Sequence, residues 1–384
     1  MSGLRSLLIR RVRLVTDGCE STDAWILFRD GRVVGSGQGD VPEGIGADET
    51  VDARELAGRG AILTPGFVDI HGHGAGGFGY DDGVDAIRAA RAVHLAHGTT
   101  RAVVSLVTAP LDALAERVRV VAHLAREDPS ILGSHLEGPF LDVGHKGAHA
   151  PSLLRAPDAD ALDALFVAGE GTIRQVTIAP ELPGGLDAVR RIVGFGAAAA
   201  VGHTDADRSF TSAAFDAGAT ILTHAFNAMR GLHHRETGPV GAAIADDRVT
   251  IELIADGVHV HPDVMRMLAA TVPDRIALVT DAMAAAGAAD GAYRLGGLAV
   301  TVREGIARLD DGGAIAGSTL TQDAALRQAI AAGMPLVAAV RALTATPASA
   351  IGRPDLGTLS PGAPADAVLL DADLRVRRVW RDGA

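Results

Sequence analysis

A chain of 384 residues with 48% hydrophobic and 21% charged residues has the apolar mass for a packed fold, which excludes intrinsic disorder. Its net charge of −12 offers no basic footprint for nucleic acid, so an anionic ligand would need a local basic pocket set against the overall field. One cysteine, Cys19, excludes an intrachain disulfide and a thiolate metal cluster.

Arg10-Arg11 near the start is not followed by an apolar run long enough for a signal peptide, and no run is long enough to span a membrane. A cytoplasmic location is therefore expected. With aromatics at only 3%, the core must be built from Ala, Val, Leu and Ile. The length suits a large barrel plus a small module.

In chain order, Leu7-Leu8-Ile9, Val12–Val15, Ala24–Phe28 and Arg32-Val33-Val34 read as short strands, broken by Asp17-Gly18 and by the hairpin signal Asp30-Gly31. Residues 366–380 read as strands again. Both termini are thus expected to form one small β-sandwich module, residues 1–62 plus 353–384. Between them, apolar runs alternate with Ala-rich helical stretches. The runs are Gly66–Ile70, Arg101–Leu106, Ile131–Leu136, Gln175–Ala179, Ala198–Val201, Thr220–Thr223, Thr250–Ile254 and Ile276–Thr280. Continuous apolar strands separated by helices imply a parallel sheet covered on both faces, and eight of them predict a (β/α)8 TIM-type barrel over residues 63–352. The Gly-rich residues 291–315 are expected to form a hairpin insertion after the eighth strand.

The strand ends carry the chemistry. They read His71-Gly72-His73, His135-Leu136-Glu137, Gly202-His203, Thr223-His224, Asp256-Gly257-Val258-His259 and Thr280-Asp281. In a barrel these positions meet at one rim, the face that carries active sites. Period two places His71 and His73 on the same face, within reach of one ion. Imidazole and carboxylate ligands without thiolate suit Zn²⁺ or Fe²⁺. A metal so held brings the pKa of water to about 7, which makes hydroxide available for hydrolysis, and Asp281 is the natural proton shuttle. Singly, each residue has a plainer explanation. Glu137 could cap a helix or pair with an arginine, His203 and His224 could be satisfied polar groups, and Asp281 could be an N-cap. Jointly, at consistent strand ends, they point to a metal-dependent hydrolase. His94, His97 and His123 lie in helical stretches and are given no role. His135 shares a face with Glu137 or fills the barrel. His145, His233, His234 and His261 stay open.

The motifs together resemble the amidohydrolase superfamily and, within it, the N-acetylglucosamine-6-phosphate deacetylase family. The matching stretches are Pro65 to Gly74, His135-Leu136-Glu137-Gly138-Pro139-Phe140, Lys146-Gly147-Ala148-His149, Gly202-His203-Thr204, Thr223-His224-Ala225-Phe226-Asn227-Ala228-Met229, Asp256 to His259, Thr280-Asp281-Ala282 and Ala316-Gly317-Ser318. The resemblance implies hydrolysis of an acetamide to an amine and acetate in amino-sugar metabolism. Glu137, His203 and His224 would hold the metal common to the family, and Asp281 would act as general base and then general acid. Some members replace the His71/His73 pair and bind one metal. Keeping both implies a second ion, bridged by Glu137 and also bound by Asp281, so one or two divalent ions are expected. The superfamily's carboxylated lysine has no candidate here, since Glu137 stands at that strand end.

For the substrate, Asn227 and Ala228 would contact the sugar phosphate, and Ala148 and His149 would line the sugar and acetyl pocket. His259 would touch the substrate within the Asp256–His259 segment, and Ile315, Ala316 and Gly317 would close it. Either His149 or His259 would help stabilise the oxyanion. Arg235 matches an arginine that reaches the phosphate from a neighbouring subunit, which implies a homodimer; from the residues alone, a surface salt bridge with Glu236 is the competing reading. The galacto epimer as substrate is an open alternative; a cyclic amide or imine is a further rival, against which the His135 to Phe140 and His224 to Met229 stretches argue. A catalytically silent scaffold would be expected to lose metal ligands, and none is lost.

Overall fold

The structure, a computed structural model, describes residues 6–384. The chain opens with β1 (Ser6–Thr16), β2 (Cys19–Arg29), β3 (Arg32–Gln38), β4 (Glu49–Asp52) and β5 (Ile62–Pro65). The two short strands expected before residue 16 are one strand, β1, broken in register around Arg11, whose φ is 55°. Before the break β1 pairs with β4, and after it with β5. Asp17-Gly18 and Asp30-Gly31 have positive φ at both residues, the conformation that matches hairpin twist.

The barrel begins with β6 (Phe67–Asp69), followed by a two-stranded ribbon, β7 (Gly74–Ala75) and β8 (Phe78–Gly79). It continues through β9 (Thr99–Val107), β10 (Ile131–Glu137), β11 (Ile173–Ile178), β12 (Ala198–Val201), β13 (Ile221–Leu222), β14 (Thr250–Ile254) and β15 (Ile276–Val279). These form an eight-stranded parallel sheet in sequential order, so all eight expected runs are barrel strands. Helices between the strands bury their apolar faces on the outside; in Leu111–Glu127, for example, Leu114, Val118 and Val121 face inward. The first and last strands share no ladder. Their seam closes at the rim, where the Asp281 N–H donates to His71 O at 2.8 Å and the His73 N–H to Ala282 O at 2.7 Å. The Thr280 hydroxyl adds a bond to Asp69 at 2.6 Å. Burial pushes the Asp69 pKa up to about 6 against the hydrogen bonds it accepts.

Residues 291–309 form a three-stranded antiparallel sheet, β16 (Gly291–Leu295), β17 (Leu298–Arg303) and β18 (Ile306–Leu309), one strand more than the expected hairpin. Its Leu295, Val300 and Ala307 pack on Val107, Met283 and Ala316 and so build one wall of the rim.

The chain returns through β19 (Ala367–Leu370) and β20 (Val376–Trp380). They join the first five strands in a seven-stranded sheet, in which β19 runs antiparallel to β5. This one bent sheet wraps an apolar cluster that includes Ile9, Phe28, Leu63, Leu369 and Trp380. β5 extends the terminal sheet slightly past residue 62. Buried Arg101 ties it to the barrel with a pair of bonds to Asp366 and one to Asp382. No helix among the described residues is long and apolar enough to cross a membrane.

Candidate active site

Five strand ends deliver the candidate ligands to one point. His71 and His73 follow β6, Glu137 ends β10, His203 follows β12, His224 follows β13, and Asp281 follows β15. His203, His224 and Asp281 have φ of 48°, 27° and 46°. A non-glycine residue in the left-handed region is uncommon and held there by its surroundings. Here the left-handed turn re-aims each side chain from the strand direction into the barrel mouth.

The side chains form two groups, His71–His73–Asp281 and Glu137–His203–His224. Glu137 belongs to both by position. Its Oε1 lies 3.2 Å from Nε2 of His203, His224 and His71, and its Oε2 lies 3.1 Å from Nε2 of His73. Asp281 Oδ1 lies 3.3 Å from His73 Nε2 and 3.7 Å from His71 Nε2. The His203 Nδ1–H donates to His145 O at 2.8 Å, which leaves Nε2 as the lone-pair nitrogen.

These residues fit a metal. His203 Nε2 and His224 Nε2 face each other at 2.9 Å, and His71 Nε2 is buried without a hydrogen bond. Lone pairs converging on carboxylates call for a cation between them. The titration behaviour agrees. Burial works against a proton on His73, yet Asp281 and Glu137 outweigh it and raise its pKa to about 9. Burial would likewise neutralise Asp281, but His71 and His73 hold its pKa below the usual carboxylate range. The cluster draws positive charge to itself, a demand that a divalent ion meets.

Above the groups lies a cavity of about 370 Å³. Ala148, His149, Asn227, Ala228, His259, Ile315 and Gly317 line it, together with His73, Glu137, His203, His224 and Asp281. Three expected substrate contacts lie elsewhere. Ala316 is fully buried in the apolar cluster beneath the three-stranded sheet, because its neighbours turn outward at that bend. Asp256 stands behind His259 and binds its Nδ1 at 2.6 Å rather than facing the cavity. Arg235 lies in an exposed segment outside the lining of this chain's cavity. It makes no ion pair among the described residues; Glu236 instead accepts the N–H groups of Arg208 and Gly238, so the surface pair with Glu236 is not formed.

Of the remaining histidines, His233 and His234 pack on each other in the exposed segment before Arg235, and the others have individual places. His135 fills the barrel, with Ser105 Oγ and Thr177 Oγ1 at 2.9 and 2.8 Å from its two ring nitrogens. The His94 Nε2–H donates to Gly74 O. His97 pairs with Asp323, His123 with Glu127 on the exposed face of their shared helix, and His261 caps Pro262–Thr271. His145 and Leu295 line the cavity. Thr108 supports His149, at 2.8 Å from its Nδ1. Glu252, fully buried on β14, escaped the strand-end reading, although a lone acid inside Thr250–Ile254 was a visible signal.

An amidohydrolase family profile matches residues 62–384. The chain is 40% identical to the N-acetylgalactosamine-6-phosphate deacetylase of Escherichia coli O157:H7, over 84% of this chain and 87% of that one. It is 35% identical to the N-acetylglucosamine-6-phosphate deacetylase of Vibrio furnissii, over 84% and 82%. In structure it matches an aspartate-to-alanine mutant of the N-acetyl-D-glucosamine-6-phosphate deacetylase of Mycobacterium smegmatis in complex with N-acetyl-D-glucosamine-6-phosphate. The TM-score is 0.93 at 44% identity, covering 98% of both chains. The chain belongs to the amidohydrolase family, a metal-dependent family, and carries histidine and carboxylate groups able to bind a metal.

Proposed function

We propose that this chain hydrolyses the acetamide of an N-acetylhexosamine 6-phosphate, with N-acetylglucosamine-6-phosphate as the first candidate, to the free amine and acetate. The observation that carries the proposal is Glu137 shared between two histidine-rich groups, with Asp281 beside them on the wall of a sugar-sized cavity. Glu137, His203 and His224 would hold one divalent ion and His71, His73 and Asp281 a second, zinc or iron by ligand type. When bound, such an ion supplies Lewis acidity and brings the ionisation of water into the neutral range.

The chain's own groups do the rest. Asp281, ionised at neutral pH, accepts a proton from the attacking water and returns it to the departing amine nitrogen. His149 and His259 flank the acetyl position. Burial depresses the His149 pKa to about 4, whereas Asp256 overcomes burial and raises that of His259. His259 is therefore the better donor to the developing oxyanion. Asn227 and Ala228 shape the sugar end of the cavity. Arg235, exposed and outside the lining of its own cavity, is assigned to the phosphate of a neighbouring subunit in a homodimer.

A second reading is favoured by one observation: the relative from Escherichia coli O157:H7 is named for the galacto epimer. Acetate release from both epimers by purified protein, alongside metal analysis, tests both readings. Release from the gluco substrate with bound metal supports the proposal. Release from the galacto substrate alone assigns the second reading, and release from neither rejects both.

A further inference from the structure

Glu252 has no part in the reaction proposed above, yet it sits at the meeting point of the two metal groups. It is fully buried, and three N–H donors converge on its carboxylate. These are His71 Nδ1 at 3.0 Å, Gln175 Nε2 at 2.7 Å and the backbone N–H of His224 at 3.2 Å. Nε2 of His71 has no hydrogen-bond partner and turns to the site, 3.2 Å from Glu137, so Nδ1 is the ring nitrogen that Glu252 holds.

The other contact works through the backbone. His224 is held at φ 27°, a conformation that a non-glycine residue keeps only when its surroundings impose it. Glu252 supplies that constraint at two successive peptides. Its side chain accepts the N–H of His224, and its main-chain carbonyl accepts the N–H of Ala225 at 2.8 Å.

We infer that Glu252 is a positioning residue for both halves of the metal centre, fixing the ring of His71 on one side and the backbone of His224 on the other. The inference rests on the reading of these two histidines as metal ligands. Partners of this kind fix the tautomer of a ligating imidazole and raise its basicity, and their loss costs metal affinity. A carboxylate kept only for packing would affect stability without selectively affecting metal.

Glu252→Gln tests this in the full-length protein. The amide keeps the shape and removes the charge, and Gln175 Oε1, buried without a partner, can receive its new N–H. Zinc affinity is measured by competition with a chromophoric chelator, the cobalt-substituted protein by its absorption spectrum, and the metal-free protein by its melting temperature. The expected result is a loss of zinc affinity of about 10–100-fold, an altered cobalt spectrum, little change in metal-free melting, and acetate release restored at saturating zinc. Gln175→Met, which loosens Glu252 without touching a ligand, should lower zinc affinity by less, and it carries the test if Glu252→Gln does not accumulate as folded protein. Parent-like zinc affinity in the folded variant overturns the inference while the parent's own zinc binding and acetate release leave the functional reading standing. A parent that binds no zinc overturns both.

Discussion

The two ligand groups share the carboxylate of Glu137, but each has its anchored histidine held by a different kind of partner. His203 gives its Nδ1–H to a main-chain carbonyl, that of His145. His71 gives its own to the buried carboxylate of Glu252. The second histidine of each group, His224 and His73, has a buried Nδ1 with no hydrogen-bond partner among the described residues. A neutral anchor sets direction alone, whereas a charged anchor also pushes electron density toward the ligating nitrogen. The comparison teaches that two sites built from the same residue types can differ in basicity through the atom behind the ligand. Asp281 deepens the contrast, since it adds a second carboxylate to the His71 side only.

The sharpest way to break the comparison is Asp281→Asn. Turnover should fall by about a hundred- to ten-thousandfold, the range for a lost general base or acid, while metal stays on the Glu137–His203–His224 side. Turnover near the parent's would remove Asp281 from the reaction. Arg235→Ala touches neither group and serves as the control. It should raise KM for phosphorylated substrate about tenfold, the scale of a lost hydrogen bond to a charged group, with metal content unchanged. An equal rise for the unphosphorylated sugar would end the phosphate assignment. Replacing His71 and His73 together by Asn should lower the metal content from two ions per chain to one, by metal analysis; an unchanged count would collapse the two groups into one site.

The smallest effect is a pH slope in the metal-free protein. His73 has a folded-state pKa of about 9 against an ordinary value of 6.5. A raised value contributes stability that is fully present below pH 6.5 and is lost as pH rises through 9. Metal-free protein should lose a few degrees of melting temperature across that window, since a chain of this length shifts by less than about 2–4 °C per kcal/mol, the scale of a protein of roughly 150–250 residues. Metal-loaded protein, with its imidazoles already deprotonated, should not. A flat metal-free profile would mean that the His71 side is not the more basic of the two.

Much of this was legible in the chain because barrel strands buried on both faces are continuous apolar runs, and a polar residue ending one has few reasons to be there except the rim. His203, His224 and Asp281 could be found that way. Their direction could not: it comes from left-handed backbone at three positions where no glycine advertises it. The same blindness to direction explains Ala316 and Asp256, which belong to matching motifs yet point into the core and behind His259. Glu252 stands out as an acid in an apolar strand, but its role was hidden for a different reason. It lies inside its strand rather than past the end, where only the pairing of β14 with its neighbours reveals what it faces.

The unpaired seam between β6 and β15 would give a bound cation a mechanical role. Glu137, His203 and His224 come from strands within the unbroken ladder, so continuous strand pairing sets their spacing. His71 and His73 stand on one lip of the seam and Asp281 on the other, joined by short rim bonds. An ion bound there would act as a clasp. Its exchange with solvent would then be tied to the opening of the first strand from the eighth, and the amide protons of His73 and Asp281 would gauge how tightly the barrel is fastened.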